Sequence, residues 1–564
     1  MNVTMGRGAI ALLLAVLGLI AYGNTLRGEW VWDDASSVLL HKHVQDPSKV
    51  FQLFKEDQHA FGRGEGNFYR PMVSVSFMID YLLSYNPTKD AAPDLAYPGV
   101  KPLLFHLSNI GWHVAAAFFL CLLLERLGAA LWVRLAVAVL FLVHPLHTEA
   151  VAYISGRADM MSGAFMMAGL WLALSPAQGR AQALRLAAAV ACFLLGLLSK
   201  ESSFIFPVLL LLILLLQAGD EGERRPFLER RGAFALIGSL VVLVGYGFCR
   251  MTILNFKKGG DAGSTVTPFA ERAVETVQAF AWYLQLLFWP TGLHMERTLD
   301  GATALTAVCG VLGLVAILGA AVVAWRAGHR RVTLGFAWFV ITWLPISGLF
   351  PLNAPMAEHW LYVPMMGFWW AVLELAALAL AAPAARTAAT VAVAALAVMF
   401  VHFTLARNED WRSNEALFRA TLSENPNTER VAFNLAVTYG DIDRNPAGAR
   451  RLYEQILARY AADPLPNGAL RPNEPEIRVS LATQLVRQGE YSEAIGCLTP
   501  LVPLSKDPAQ AELVGQALFQ IGQCSLALGD VVQADRAFRG ASQLVPQLKP
   551  LAERVADGGP LMLP

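Results

Sequence analysis

Apolar stretches long enough to cross a bilayer recur along this chain from residue 8 to residue 406, and then stop. They lie at 8–26, 104–125, 130–145, 158–176, 183–199, 203–218, 232–254, 303–325, 332–350, 360–382 and 387–406. The shorter ones suit helices packed inside a bundle better than isolated anchors. The first, with Arg7 ahead of a short apolar core, also fits a signal peptide. Because so many stretches follow, a retained start-transfer helix is the simpler reading. Only 16% of the 564 residues are charged and 55% are apolar, which excludes an ordinary soluble enzyme and a disordered chain. The 44 basic residues balance the 44 acidic ones without any like-charge run, so nothing recommends a nucleic-acid partner.

A further apolar stretch, 273–290, decides the topology. Basic clusters lie at Arg126/Arg134, Arg180/Arg185, Arg224/Arg225/Arg230/Arg231, Arg326/Arg330/Arg331 and Arg386. If 273–290 does not span, all of them share the cytoplasmic side with the N-terminus. The expectation is therefore about eleven spans, with 273–290 along the outer interface, where Glu275 and its aromatic belt are tolerated. An odd count places loop 27–103 and the C-terminal region outside. The 34 arginines against 10 lysines fit a GC-rich bacterial coding sequence, which makes the expected location a bacterial inner membrane.

Composition turns soluble at Trp411, dividing the chain into a membrane part, 1–410, and a tail, 411–564. In the tail, Leu518, Ile521, Gly522, Gly529, Ala534, Phe538 and Ala541, ending at Pro546, follow the register of a tetratricopeptide unit. Leu481, Ala482, Gly489, Ala494 and Leu498 repeat it, and Asn434–Ala436, Tyr439, Ala449 and Tyr453 form an earlier unit with a longer turn. Small residues stand where paired helices cross, with large ones between them. The expected fold is all-α: a polytopic helical bundle followed by a helical solenoid. Cys497 and Cys524 lie in this tail, where a disulfide is one reading if the tail is extracytoplasmic.

Polar residues in and beside the membrane part gather on one expected side. Trp30-Val31-Trp32-Asp33-Asp34 follows the first span directly, and two adjacent carboxylates at an apolar boundary are costly unless solvated or paired. Arg70, in the same loop, offers a cation for an anionic group. The next outward loop carries His144, His147 and Glu149, then Arg157 and Asp159. The three can be read as metal ligands, but the spacing is not that of a strong zinc motif, so hydrogen bonding in a polar site is preferred. Arg157 is an anion-binding candidate, with structural pairing to Glu149 or Asp159 as the alternative. His106, Asn109 and His113 recur at helical spacing on the second span, Lys200-Glu201 ends another, and Glu358-His359 leads into Tyr362. A lipid phosphate held by cations beside a basic carboxylate is the chemistry this convergence points to. No nucleotide-binding, dinucleotide or nucleophile-elbow motif accompanies it.

The ordered set WVWDD, YRPM, LLFHLSNIGWH, HPLHTEAVAYISGRAD, SKES, AEHWLYVPMMGF and RNEDWRSNEALF, followed by repeats, resembles the transmembrane and tetratricopeptide-repeat O-mannosyltransferases. The resemblance implies a C-type glycosyltransferase fold and an inverting transfer from a polyprenyl-phosphate sugar to a hydroxyl of an extracytoplasmic protein docked by the repeats. It implies no cofactor, although a divalent metal is left open. Asp33 takes the place of the family's catalytic acid and Asp34 that of the following Glu. Arg70, Arg157, Lys200 and His359 fall at positions for the donor phosphate. His106, His113, His144, His147, Glu149, Asp159, Glu201, Glu358 and Tyr362 fall to substrate positioning. The family's Ala-Glu-Arg-Tyr-Leu-Tyr reads Ala-Glu-His-Trp-Leu-Tyr here, and His359 is a weaker cation than Arg at neutral pH. A non-catalytic membrane scaffold whose repeats recruit envelope proteins is the alternative.

Overall fold

The computed structural model describes residues 5–62, 67–85, 99–175, 178–217, 230–256, 267–379, 383–442, 445–466 and 469–556. Among these, regular structure is helical throughout. The chain divides into two units, Met1–Ala416 and Leu417–Pro564. The boundary falls six residues after the composition change. Residues 411–414 belong to the first unit because Arg412 O accepts from Glu29 N (2.8 Å) and Asn414 Oδ1 from Trp32 N (2.9 Å).

The first unit contains α1 (Arg7–Tyr22), α2 (Pro71–Ser84), α3 (Leu103–Arg126), α4 (Leu131–Val143), α5 (Thr148–Val151), α6 (Arg157–Leu174) and α7 (Gly179–Leu197). It continues with α8 (Phe206–Gln217), α9 (Arg230–Thr252), α10 (Phe269–Phe288), α11 (Ala304–Arg326), α12 (Arg330–Trp343), α13 (Tyr362–Ala379) and α14 (Pro383–Asp410). Contacts sort the helix ends into two groups. At one end Glu125 meets Arg134 (2.6 Å) and Arg7 (4.0 Å), Arg331 meets Glu374 (3.2 Å), and Arg330 donates to Leu216 O (3.0 Å). At the other, Asn408 donates to Ala21 O, Thr404 to Val143 O, Met72 N to Leu198 O, and Arg250 to Asn67 O. Arg7, Arg134, Arg330 and Arg331 thus share one end, as the charge distribution requires. Arg224 and Arg225 fall outside the described residues, as do the side chains of Arg230 and Arg231.

Helices α1, α3, α4, α6, α7, α8, α9, α11, α12, α13 and α14 run alternately between those ends. Seven described helices are long and apolar enough to cross a membrane by themselves, or eight if the bent pair α4–α5 counts as one. The remainder fall short for a physical reason. Helix α6 is buried on nearly every side and carries Arg157 and Asp159, while α8 and α12 have only 12 and 14 residues. Helices α6 and α12 are mostly buried against protein, so neither full length nor full apolarity is required of them, whereas α8 keeps Val208, Leu211 and Leu215 exposed. Helix α10, the stretch that decides the topology, is not among the spanning helices. Helix α9 finishes and α11 starts at the same end, so α10 does not exchange ends. It buries Phe280, Tyr283 and Leu287 in the core beside Phe339 and Trp343. A Cβ on Gly310 of α11 would overlap Val277 O, so only glycine permits this approach.

The second unit is a run of helical hairpins. It holds α15 (Asn414–Glu424, which straddles the boundary), α16 (Glu429–Val437), α17 (Pro446–Ala462), α18 (Glu474–Arg487), α19 (Tyr491–Leu498), α20 (Ala511–Ala527), α21 (Val531–Leu544) and α22 (Lys549–Ala556). Gly489 and Gly529 turn the hairpins α18–α19 and α20–α21 with positive φ, 81° and 83°. The Phe538 ring lies so close over Gly522 that a Cβ there would come within 2.6 Å of it, the small-against-large crossing that the spacing anticipates. The Cys497–Cys524 pairing does not form. All six cysteines are free thiols, with Cys524 buried in α20 and Cys497 Sγ turned to Arg478 O at 3.5 Å.

Candidate active site at one end of the bundle

The segment after α1 makes two short turns before the adjacent carboxylates. Trp32 adopts φ 53°, a conformation that a bulky residue holds only under constraint, here the bond from its N–H to Asn414. The turn sends the two aspartates to opposite fates. Asp33 is exposed, whereas Asp34 is wholly buried. Asp34 accepts from Val31 N (3.0 Å), Ser155 N (2.8 Å) and Ser155 Oγ (2.7 Å). Burial pushes its carboxyl up to about 7 even though these bonds favour the ionised form. Asp34 therefore clamps the loop to the turn before α6, and Asp33 is the carboxylate left open to solvent. Tyr153 joins them: its hydroxyl interacts with Asp33 and Ser155, and its ring stacks on Trp411 at 5.2 Å. The surrounding protein, then the charges of Asp33 and Asp34, push that phenol well above its ordinary range.

The cations expected on a phosphate divide in the same way. Arg70 makes a forked pair with Glu201 (2.7 and 3.1 Å) and lies over the Phe68 ring (4.7 Å). Lys200 pairs with Asp159 at 2.6 Å, beside the first pair. Burial opposes the Glu201 charge, but Arg70 outweighs it and holds that carboxyl down to about 2. Each pair keeps some solvent exposure, with Glu201 half-exposed.

Arg157 departs from its expected role. It is fully buried, and it meets Asp80 (2.5 Å), Ser76 Oγ (2.8 Å), Asn109 Oδ1 (2.7 Å) and Phe105 O (2.8 Å), with Phe77 under its plane. Its guanidinium locks α2, α3 and α6 together and is buried away from any ligand. Its partner is neither Glu149 nor Asp159 but Asp80, a lone acidic residue in an apolar helix whose expense marks it in the sequence.

A second ionic cluster lies beside Trp411, whose ring faces Arg407 at 5.9 Å. His359 Nδ1 meets Glu149 at 2.9 Å, and His359 N donates to the same carboxylate (3.1 Å). Glu358, expected to position substrate, is buried beneath Arg297 and Arg407, each at 3.4 Å, so it is committed to them. Arg407 opens the RNEDWRSNEALF motif but has no role assigned from sequence, and Arg297 gives no sequence signal, since arginines near helix ends are common. His144 is likewise withdrawn from substrate: its Nε2 meets Leu287 O (3.1 Å) and its Nδ1 accepts from Leu146 N (3.3 Å). His113 bridges Tyr362 Oη (2.7 Å) and Leu142 O (3.0 Å). His147 lies buried among His113, Phe141 and Tyr362. His106 is buried behind Gly28, where a Cβ would come within 3.1 Å of its Nε2. Among the described residues no group of three or more His, Cys, Asp or Glu side chains is placed to hold a metal ion.

No family model matches the chain. A protein O-mannosyl-transferase of Caenorhabditis elegans is 25% identical over 447 residues, 76% of this chain and 60% of that protein. Protein O-mannosyl-transferase TMTC4 of Homo sapiens is 23% identical over 78% of this chain, and TMTC1 of Homo sapiens 26% over 77%. The matches span 65% and 53% of the lengths of those two relatives. This integral-membrane helical chain is thus a homologue of the protein O-mannosyl-transferases.

Proposed function

We propose that this chain is a membrane glycosyltransferase that moves a hexose, mannose by analogy with its relatives, from a polyprenyl-phosphate donor to a hydroxyl of a protein outside the cytoplasm. The observation that carries the reading is the division of labour between Asp33 and Asp34, with Arg70 and Lys200 in ion pairs that keep some solvent exposure. Asp33 takes the acceptor proton as the new C–O bond forms at the anomeric carbon from the face opposite the phosphate, so the configuration inverts. The polyprenyl phosphate departs with the bonding electrons. Its charge is met by Arg70 and Lys200, which exchange Glu201 and Asp159 for phosphate oxygens. A phosphate monoester leaves readily, so cations matter more there than a proton donor. The hairpins of the second unit, read as tetratricopeptide repeats, recognise the acceptor. The reading places those repeats in the periplasm of a bacterial inner membrane.

The test is Asp33→Asn in purified protein supplied with polyprenyl-phosphate mannose. Transfer falls by about a hundredfold or more, the scale of a lost general base, while the melting temperature holds because the side chain is exposed. A nucleotide sugar alone gives no product. Full activity of Asp33→Asn removes the base, and turnover of nucleotide sugar without lipid removes the donor. Capture of envelope proteins with no effect of Asp33→Asn favours the scaffold.

A further inference from the structure

Close enough to Asp33 and Arg70 to feel both charges lies a histidine that the reading above does not use. His59 Nδ1 is within hydrogen-bond distance of Ser36 Oγ (2.9 Å) and Ser37 Oγ (3.1 Å). Both serines sit just past Asp33: Ser36 Oγ donates to Asp33 O (3.0 Å), and Ser37 N donates to the same oxygen (2.9 Å). Both hydroxyls face Nδ1, and in the tautomer that carries its proton there Nε2 keeps a lone pair; among the described residues no hydrogen bond to Nε2 is formed. The ring is fixed from behind as well. Asp57 Oδ1 accepts from His59 N (2.7 Å), Asp57 Oδ2 accepts from Phe68 N, and the Phe68 ring edges onto His59 at 5.9 Å.

We propose that His59 receives the proton that Asp33 takes from the acceptor hydroxyl, directly or across one water, and releases it to solvent. This rests on the transferase reading above. In each turnover the hydroxyl proton passes to the Asp33 carboxylate and then to Nε2, so the carboxylate is restored for the next acceptor and the imidazolium loses one proton to water. The groups facing His59 are Asp33, Asp57, Arg70 and His41, with Ser36, Ser37 and Phe68 completing its surroundings. Burial lowers its proton affinity, Asp33 and Asp57 pull it back up, and Arg70 lowers it, for a net value below the ordinary imidazole range. The lowered affinity favours the neutral ring, the form that can accept a proton.

The experiment uses full-length protein with polyprenyl-phosphate mannose, and follows release of mannose to water so that no protein acceptor is required. His59→Ala lowers kcat about tenfold or more, leaves KM for the donor unchanged, and regains turnover when imidazole is added. His59→Gln keeps the serine contacts, melts like the unaltered chain, and loses the acid limb of the pH profile that protonation of His59 produces. An unaltered kcat and pH profile in His59→Gln, or no response of His59→Ala to imidazole with its fold intact, overturns the role while Asp33→Asn stays inactive. If Asp33→Asn is itself fully active, the base reading fails and the His59 role goes with it.

Discussion

Arg157 and Arg70 sit at the same end of the bundle, each beside a carboxylate, and they do opposite things. Arg157 is fully buried and is held inside protein by Asp80, Ser76, Asn109 and Phe105. Arg70 holds only Glu201, itself half-exposed, and lies over one face of Phe68. The same contrast separates Asp34 from Asp33. Burial, rather than residue type, divides the charges at this end into those that hold the loops together and those that can trade a protein partner for a ligand. A buried charge that loses its partner is costly, so it is not available for exchange. A half-exposed pair costs little to open.

The largest expected effect is on the closed side. Arg157→Met leaves Asp80 buried without its cation and costs about 3–5 kcal/mol, read as loss of folded protein or a collapsed melting temperature in detergent. A stable, folded variant with weakened donor binding would reverse the assignment and return Arg157 to the phosphate.

Asp34→Ala comes next. It leaves Val31 N and the two Ser155 groups without an acceptor, at about 1–3 kcal/mol for each group that water cannot reach. The sign of its pH dependence follows from a folded-state value of about 7 against the ordinary 3.8. Across that window the folded chain holds a proton that the unfolded chain has released, so the contribution of Asp34 to stability falls as pH rises. The gap in melting temperature between the unaltered chain and Asp34→Ala is therefore widest near pH 4 and narrows toward pH 8. A gap that widens with pH would mean that Asp34 is clamped as a stable anion.

The smallest effect sharpens the open side. Glu201→Gln removes a partly exposed partner, so stability shifts by less than about 1 kcal/mol. Donor affinity improves a few-fold because Arg70 no longer has a competing anion. Weaker donor binding in this variant would show that the forked pair positions Arg70 rather than competing for it.

Much of this was legible before any coordinates. Spans buried on all sides, such as α6, still carry an apolar majority, and the positive clusters at Arg134, Arg330 and Arg331 share one end because charge placement obeys a rule readable along the chain. The Asp33-Asp34 pair and Arg70 stand out because charges beside a membrane boundary are expensive. What the sequence could not rank is which member of each pair is closed. Asp33 and Asp34 are chemically identical neighbours, and only the left-handed turn at Trp32 and the approach of Ser155 from 121 residues away decide that one is clamped and the other open. Arg157 looks like an anion site in one dimension, because its consuming partner Asp80 comes from another helix. His59 was invisible for the same reason, since its meaning lies in serines more than twenty residues distant. Hydrophobicity and charge placement are local sums along the chain, so sequence determined the bundle and the composition of one of its ends. Desolvation and hydrogen-bond partnership depend on segments brought together only by folding, so the tertiary structure alone decided which charges remain available for chemistry.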